Sequence, residues 1–405
     1  MKQLPVFICV VLLCSIVPVS GADFGLILTQ TPDLSLAGGE KSFTYRAKAV
    51  PWLSASPIEN LNLYFSISLT GEFEKVFSEA DRSGEWQNPL FEAARFSAAF
   101  KPAPTFFLEA GRVQWSDASC FIASGLFDGL NAAYIVNGFR FSAACLYTGL
   151  LHKESANIKI NVADMVDYTD SETFFASRRV LGSLSFSTPP FGGFIDSVGL
   201  EALAQFDLNG RDSKTHTQYA VLKTSLSPIP KLSVSLAGVL GFLENSENDK
   251  PEISYAGEAD AYWAINGALP GLISFGAAAA SGGSGEVGAF TPVSTIDQGF
   301  VLTPDFSGLA KFSLAYTLRL IESLSIEVKG AYLFRTGKTI FSDPALDPSG
   351  GNALGSELLA NVVFVPFPDL ALQAKAGVFI PSTGNAFAGD APVKARFSLS
   401  LALSF

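Results

Sequence analysis

The last thirteen residues, Val393-Lys394-Ala395-Arg396-Phe397-Ser398-Leu399-Ser400-Leu401-Ala402-Leu403-Ser404-Phe405, decide the fold. Ala395, Phe397, Leu399, Leu401, Leu403 and Phe405 fall on one parity, and Lys394, Arg396, Ser398, Ser400 and Ser404 on the other. Successive side chains of a strand point to opposite faces, so this segment is a strand with one greasy and one wet side. The split recurs upstream. Leu61, Leu63, Phe65, Ile67 and Leu69 oppose Asn62, Tyr64, Ser66, Ser68 and Thr70, and Leu324, Ile326, Val328, Gly330, Tyr332 and Phe334 oppose Ser325, Glu327, Lys329 and Arg335.

About eighteen such strands are read, spanning 23–30, 42–54, 61–73, 90–100, 104–114, 128–137, 139–148, 177–188, 195–207, 217–226, 231–242, 252–266, 271–281, 308–319, 323–335, 354–365, 369–379 and 393–405. Many approach the ~9–11 residues that cross a bilayer at a tilt. Their connections alternate. Asn137–Gly138, Glu322 and Pro366–Pro368 are short, whereas 31–41, 74–89, 115–127, 149–176, 282–307, 336–353 and 380–392 are long. A soluble sandwich would alternate too, but it requires neither so many strands nor this rhythm. The expected fold is all-β: a transmembrane antiparallel β-barrel with short periplasmic turns and long extracellular loops. Pro51 falls inside a strand and is expected to mark a bulge or the start of the rim.

Composition fits. Of 405 residues, 48% are hydrophobic and only 16% charged, too apolar for a disordered chain. After residue 22 no apolar run reaches the ~20 residues of a spanning helix, so the surplus hydrophobicity belongs on the outside of strands. The N-terminus reads as an export signal: Lys2, an apolar Val6 to Val17, then small Ser20, Gly21 and Ala22. Residues 1–22 are expected to be removed and 23–405 to form one barrel domain. The signal takes Cys9 and Cys14 with it; a bridge between Cys120 and Cys145 is not expected.

The C-terminal strand resembles the sorting signal of bacterial outer-membrane proteins, in which alternating apolar residues end in an aromatic. That resemblance implies that Leu401, Leu403 and Phe405 are read by the barrel-assembly machinery. Glu109-Ala-Gly-Arg112 followed by Asp128-Gly-Leu-Asn-Ala-Ala-Tyr134 is similar to a strand–loop–strand pattern of porins. Leu354-Gly-Ser-Glu-Leu358, Phe364-Val-Pro-Phe367 and Val378-Phe-Ile-Pro381 are similar to the last hairpins of the alginate-export-like barrel family. This implies an eighteen-strand passive channel embedded in outer-membrane lipid. Small polar solutes as its cargo are expected from the charged inner wall, not from the resemblance.

Putting the greasier parity outward leaves Arg46, Lys48, Arg95, Arg140, Arg179, Lys311, Arg319, Lys329, Arg335, Lys375, Lys394 and Arg396 inward. Inward acids are Glu72, Glu109, Glu201, Asp207, Glu258, Asp260, Glu327 and Glu357. The wall leans basic although the chain carries a formal charge of -11. The remaining acids sit in loops and rims, among them Glu74, Glu79, Asp81, Glu85, Asp164, Asp167, Asp170, Glu172, Glu244, Glu247 and Asp249. Two readings of the wall stand side by side: rings of Arg and Lys that favour anions, or charges that pair across strands and keep the lumen wet. Arg112 falls on the greasy parity, which suits a side chain reaching to the headgroups.

No cofactor, metal-ligand spacing or nucleotide motif is read. The two histidines, His152 and His216, lie far from any nucleophile motif, so an enzyme is not expected. The acidic balance argues against nucleic acid. With no plug-sized domain before the first strand, a passive channel leads. An adhesin displaying loops 149–176 and 282–307, or a transporter of hydrophobic substrates, are the alternatives. Those two loops either project outward or fold in and narrow the pore.

Overall fold

The computed structural model describes residues 22–77, 84–210, 214–245, 250–267, 270–284, 287–337 and 345–405. The expected signal segment lies outside them except for Ala22, as do Glu79, Asp81, Glu247 and Asp249.

Alternation becomes twenty-one strands in one sheet. They are β1 (Ala22–Ala37), β2 (Glu40–Ile58), β3 (Leu61–Phe77), β4 (Gly84–Trp86), β5 (Leu90–Ala103), β6 (Phe106–Ser116) and β7 (Ser124–Val136). There follow β8 (Phe139–Tyr147), β9 (Arg179–Ser187), β10 (Ile195–Asp207), β11 (Thr215–Ile229), β12 (Leu232–Asn245), β13 (Glu252–Ile265) and β14 (Gly271–Ala280). The last are β15 (Gly282–Ser284), β16 (Val287–Ala289), β17 (Leu309–Ile321), β18 (Leu324–Arg335), β19 (Ala353–Phe367), β20 (Leu370–Pro381) and β21 (Lys394–Ser404). β4, β15 and β16 are three-residue pieces at loop bases. The other eighteen pair antiparallel with their sequence neighbours, β3 with β5 and β14 with β17 bridging the pieces.

The sheet closes when β21 pairs with β1, from Ala37 opposite Lys394 to Ile27 opposite Ser404. Closure leaves no free edge, the condition for a sheet in hydrocarbon, where unpaired N–H and C=O groups find no water. The outer face carries a broad apolar band: Leu184 is 67% exposed, Leu314 58% and Leu358 55%. Soluble monomers rarely expose a contiguous apolar surface of this extent; in a bilayer the same band is solvated by lipid tails. The barrel is a transmembrane one.

Two expectations are corrected. Residues 31–41 are not a long loop. β1 runs through Thr31-Pro32-Asp33 to Ala37, and the chain reverses at Gly38 and Gly39, whose φ angles of 57° and 94° suit a tight hairpin. Pro51 marks neither bulge nor rim. It sits in β2 opposite Leu26, and the β2–β3 register resumes unshifted from Ala49 opposite Leu69 to Trp52 opposite Ser66. In both places the proline falls where one ladder is locally unpaired: the β1–β21 register skips Thr31 and Pro32, and the β2–β3 register skips Val50 and Pro51. The missing N–H therefore has no ladder bond to break.

Buried clusters lie inside the barrel, toward the end with the long connections. The largest joins Phe121, Ile122, Phe290, Val293 and Phe306 from loops to Leu146, Leu181, Leu203, Tyr219, Val221 and Val239 from the inner wall. A second packs Leu309, Leu333, Leu354 and Phe379 against Ala386 and Phe387. The turn 117–123 and the loop 290–306 thus fold inward, which for 282–307 is one of the two courses left open by the sequence; loop 149–176 instead packs Leu151, Ala156 and Ile158 against Leu126.

Candidate functional site: a lumen narrowed by anchored loops

Pairing and exposure together place the inner face. Arg46 of β2 meets Glu72 of β3 at 2.7 Å, and Arg95 of β5 meets Glu109 of β6 at 3.0 Å. Lys48 lies two residues from Arg46, opposite Thr70. Arg140 and Arg319 lie near the short-turn end, where Arg140 donates to Ser142 Oγ and Arg319 to the Glu322 carbonyl. Glu258 and Asp260 of β13 share one electrostatic neighbourhood with Lys223, Lys311 and Lys329. Glu327 accepts from Thr317 Oγ1 at 3.3 Å. Lys375 is opposite Asn361 and Ser398, while Lys394 and Arg396 face Phe379 and Gly377 across the β20–β21 ladder.

Other inward charges do not face the lumen freely; they hold loops. The turn 117–123 is built on Asp117, whose carboxylate accepts from the amides of Ser119, Cys120, Ile122 and Ala123 and from the Ser119 hydroxyl. Glu201 accepts the Ala118 N–H at 2.6 Å while Lys223 donates to the Ala118 carbonyl at 2.8 Å. Glu201 also accepts from Ser183 Oγ. Two wall charges thus grip one residue of the turn by its backbone donor and acceptor, and Phe121 seals it against Phe290 and Phe306.

The loop after β16 continues this lining. Val293 N–H and Ser294 N–H both donate to the Ile122 carbonyl, and the Tyr219 hydroxyl donates to the Thr291 carbonyl. Farther on, Glu357 is only 5% exposed. Its carboxylate accepts three consecutive amides, Phe300 at 2.8 Å, Val301 at 2.9 Å and Leu302 at 3.0 Å. Gly299 makes this cradle possible, since a Cβ there would lie 2.1 Å from the Leu302 carbonyl and 2.9 Å from the Glu357 carboxylate. Arg396 donates to the Phe300 carbonyl at 3.1 Å, with its guanidinium 5.1 Å from the Phe300 ring centre. Lys311 binds Gln298 through both its carbonyl and its side-chain oxygen.

Arg179 pairs with buried Asp164, which also accepts from Asn209 at 2.6 Å, so loop 148–178 with its short helix Met165–Thr169 is tied to the wall. Arg335, 2% exposed, donates to the carbonyls of Asp347, Gly350 and Gly351. Burial first, then the nearby Asp305 charge, pushes the Asp297 carboxyl above the usual range, against the pull of Arg396.

These placements revise the sequence reading in three ways. Glu201, Glu357, Arg179 and Arg335 are structural anchors, because each is itself buried and bonded to loop groups or wall side chains. The basic lean is smaller than expected: Asp33 and Glu92 join the acids of the inner face, and ion pairs neutralise Arg46, Arg95 and Arg396. Arg112 shares the outward parity but does not reach to the headgroups. It is 4% exposed, sealed by Asp128 at 2.9 Å, the carbonyls of Ala93 and Leu150, and the Phe96 ring. Lys223 was missed because its strand carries Tyr219 and Val221 on the same inward parity, which a greasy-side-out rule reads as the lipid face.

Leu401 and Leu403 lie on the outer parity of β21, and Phe405, 70% exposed, ends the seam through Leu26. Among the described residues no group of three or more His, Cys, Asp or Glu is placed to hold a metal ion. Cys120 and Cys145 are free thiols.

No protein-family profile and no curated protein matches the sequence. Solved structures do match. OccK7 (OpdD) of Pseudomonas aeruginosa superposes with a TM-score of 0.63 at 11% identity, covering 95% of this chain and 99% of that one. OccK2 (OpdF) of the same organism, solved in complex with glucuronate, gives 0.59 at 12% identity, over 95% and 98%. OprD of Pseudomonas aeruginosa gives 0.54 at 11% identity, over 96% and 97%. This chain has the fold of these closed eighteen-strand barrels.

Proposed function

We propose that this chain is a passive outer-membrane channel for small polar solutes, with anions favoured. One observation carries the reading: a closed barrel, apolar outside and charged inside, has its turn 117–123 and loop 290–306 fastened to the inner wall. Such a wall offers hydration to a solute in transit, and the loops restrict its size. Lys48, Lys329 and Lys375 supply positive charge along the wall, focused by the low-dielectric surroundings. The Arg46–Glu72 and Arg95–Glu109 pairs keep that preference mild. Likeness to the OprD/Occ porins, one of them solved with glucuronate, supports a carboxylate-bearing cargo.

Within the same proposal, residues 1–22 are a cleaved export signal and the long-loop end faces the exterior. Leu401, Leu403 and Phe405 present the assembly signal to the barrel-assembly machinery. Kinship with the alginate-export-like barrels rests on residues 354–381 alone. Liposome swelling tests the channel: vesicles holding the protein swell in small neutral and anionic sugars, and faster in a uronate than in an amino sugar of equal size. Equal swelling with and without protein contradicts it.

A further inference from the structure

The outer face near the long-loop end carries one cationic patch. The inner ion pair Arg46–Glu72 fixes the parity of β2 and β3. Lys41, Phe43 and Tyr45 therefore point outward from β2, and Phe73, Lys75 and Phe77 from β3. Phe43 is opposite Lys75 and Lys41 opposite Phe77, so the two lysines are diagonal neighbours, with Cβ atoms roughly 7–8 Å apart. Trp86 of β4 is opposite Phe73 and packs on it and on Tyr45. The Lys75 ammonium lies 5.0 Å from the Phe77 ring centre.

Neither lysine has a carboxylate partner among the described residues. The nearby acids Glu72 and Glu74 take the inward parity, and the outer face of β1 beside Lys41 carries Leu34 and Leu36. Two cations thus stand on the lipid side of a transmembrane wall, just past an aromatic cluster of the kind that marks the membrane–water interface. A lysine there extends toward headgroups. Two adjacent lysines with no counter-ion among the described residues match a phosphate rather than a zwitterionic headgroup, whose own cation would repel them.

We propose that Lys41 and Lys75 form a site for the phosphate of an outer-leaflet glycolipid, with Tyr45, Phe73 and Trp86 against the acyl and sugar portions. This rests on the outer-membrane reading above and adds a lipid partner to it. Native mass spectrometry of the purified protein in nanodiscs containing phosphorylated lipid A, or the same lipid with its phosphates removed, tests it. The wild type retains the phosphorylated lipid, and the Lys41→Gln/Lys75→Gln double variant retains about tenfold less, while Lys41→Arg/Lys75→Arg keeps it. Inorganic phosphate in excess does not displace the lipid; displacement would indicate a free-anion site and overturn the proposal. So would equal retention of the dephosphorylated lipid, or equal retention by the glutamine variant. Conductance of the double variant in a planar bilayer separates the two claims. A conducting variant with unchanged lipid retention defeats this inference alone, whereas a wild type that does not conduct defeats the channel reading.

Discussion

Asp33 and Arg396 meet across the seam of the barrel, both carboxylate oxygens lying 3.0 Å from the guanidinium Nε. One comes from the first strand and the other from the last, so this contact joins the chain's two ends. Arg396 simultaneously holds the Phe300 carbonyl, which couples barrel closure to the turn inside the lumen. Its side chain is 33% exposed, and a pair this accessible contributes only about 0–1 kcal/mol. Asp33→Asn is therefore expected to leave the heat-modifiable mobility of the folded barrel nearly unchanged and to shift the reversal potential toward anions. A large loss of thermal stability would show that the seam depends on this pair.

Glu357 has a different weight, because its carboxylate is buried and takes three amides at once. Glu357→Gln removes the charge and leaves amides poorly satisfied, at a cost of about 1–3 kcal/mol. The turn 299–302 should detach, so single-channel conductance rises and its open-state noise increases while the barrel stays folded. Unchanged conductance would mean that this turn does not limit the pore.

Arg112 and Asp128 form a buried pair on the outer side of the wall, side chains 5% and 9% exposed. Removing one partner strands the other: Arg112→Met is expected to cost about 3–5 kcal/mol in urea unfolding from lipid vesicles. Adding Asp128→Leu should restore most of the loss, because two apolar residues fit the same site. Additive losses in the double variant would contradict this account.

Asp297 predicts a pH dependence. Partial burial raises its folded pKa above the unfolded value, so the unfolded chain ionises first as pH rises, and because the residue remains solvent-exposed the effect is small. The stabilising contribution is complete below the ordinary carboxylate range and is lost as pH passes the raised folded value. The wild type should lose thermal stability relative to Asp297→Asn on going from acid to neutral pH. Parallel pH profiles would exclude the effect.

The wall was legible in the sequence because the period of two is imposed by lipid on every strand, and all eighteen barrel strands overlap the segments read from it. Read from the sequence, the first strand ends at residue 30, whereas β1 runs on through Pro32, which the local gap in the β1–β21 ladder makes tolerable. That hid Asp33, and with it the partner of Arg396. The anchors were half legible. Parity placed Glu357 inside, but the amides that consume it come from residues 55 to 57 positions away. Lys223 was hidden for a physical reason: where loops pack inside, the inner face becomes as apolar as the outer, and Tyr219 and Val221 serve that packing. Greasy-side-out is a rule for an empty barrel and fails beneath an inward loop.

The central claim is that water fills a continuous path through this barrel past the anchored loops. Recording from single molecules of the purified protein in a planar bilayer tests it most directly. The account predicts discrete, ohmic conductance steps, with a reversal potential in a salt gradient on the anion side. A bilayer that holds folded protein yet shows no steps, or a clearly cation-selective current, would contradict it.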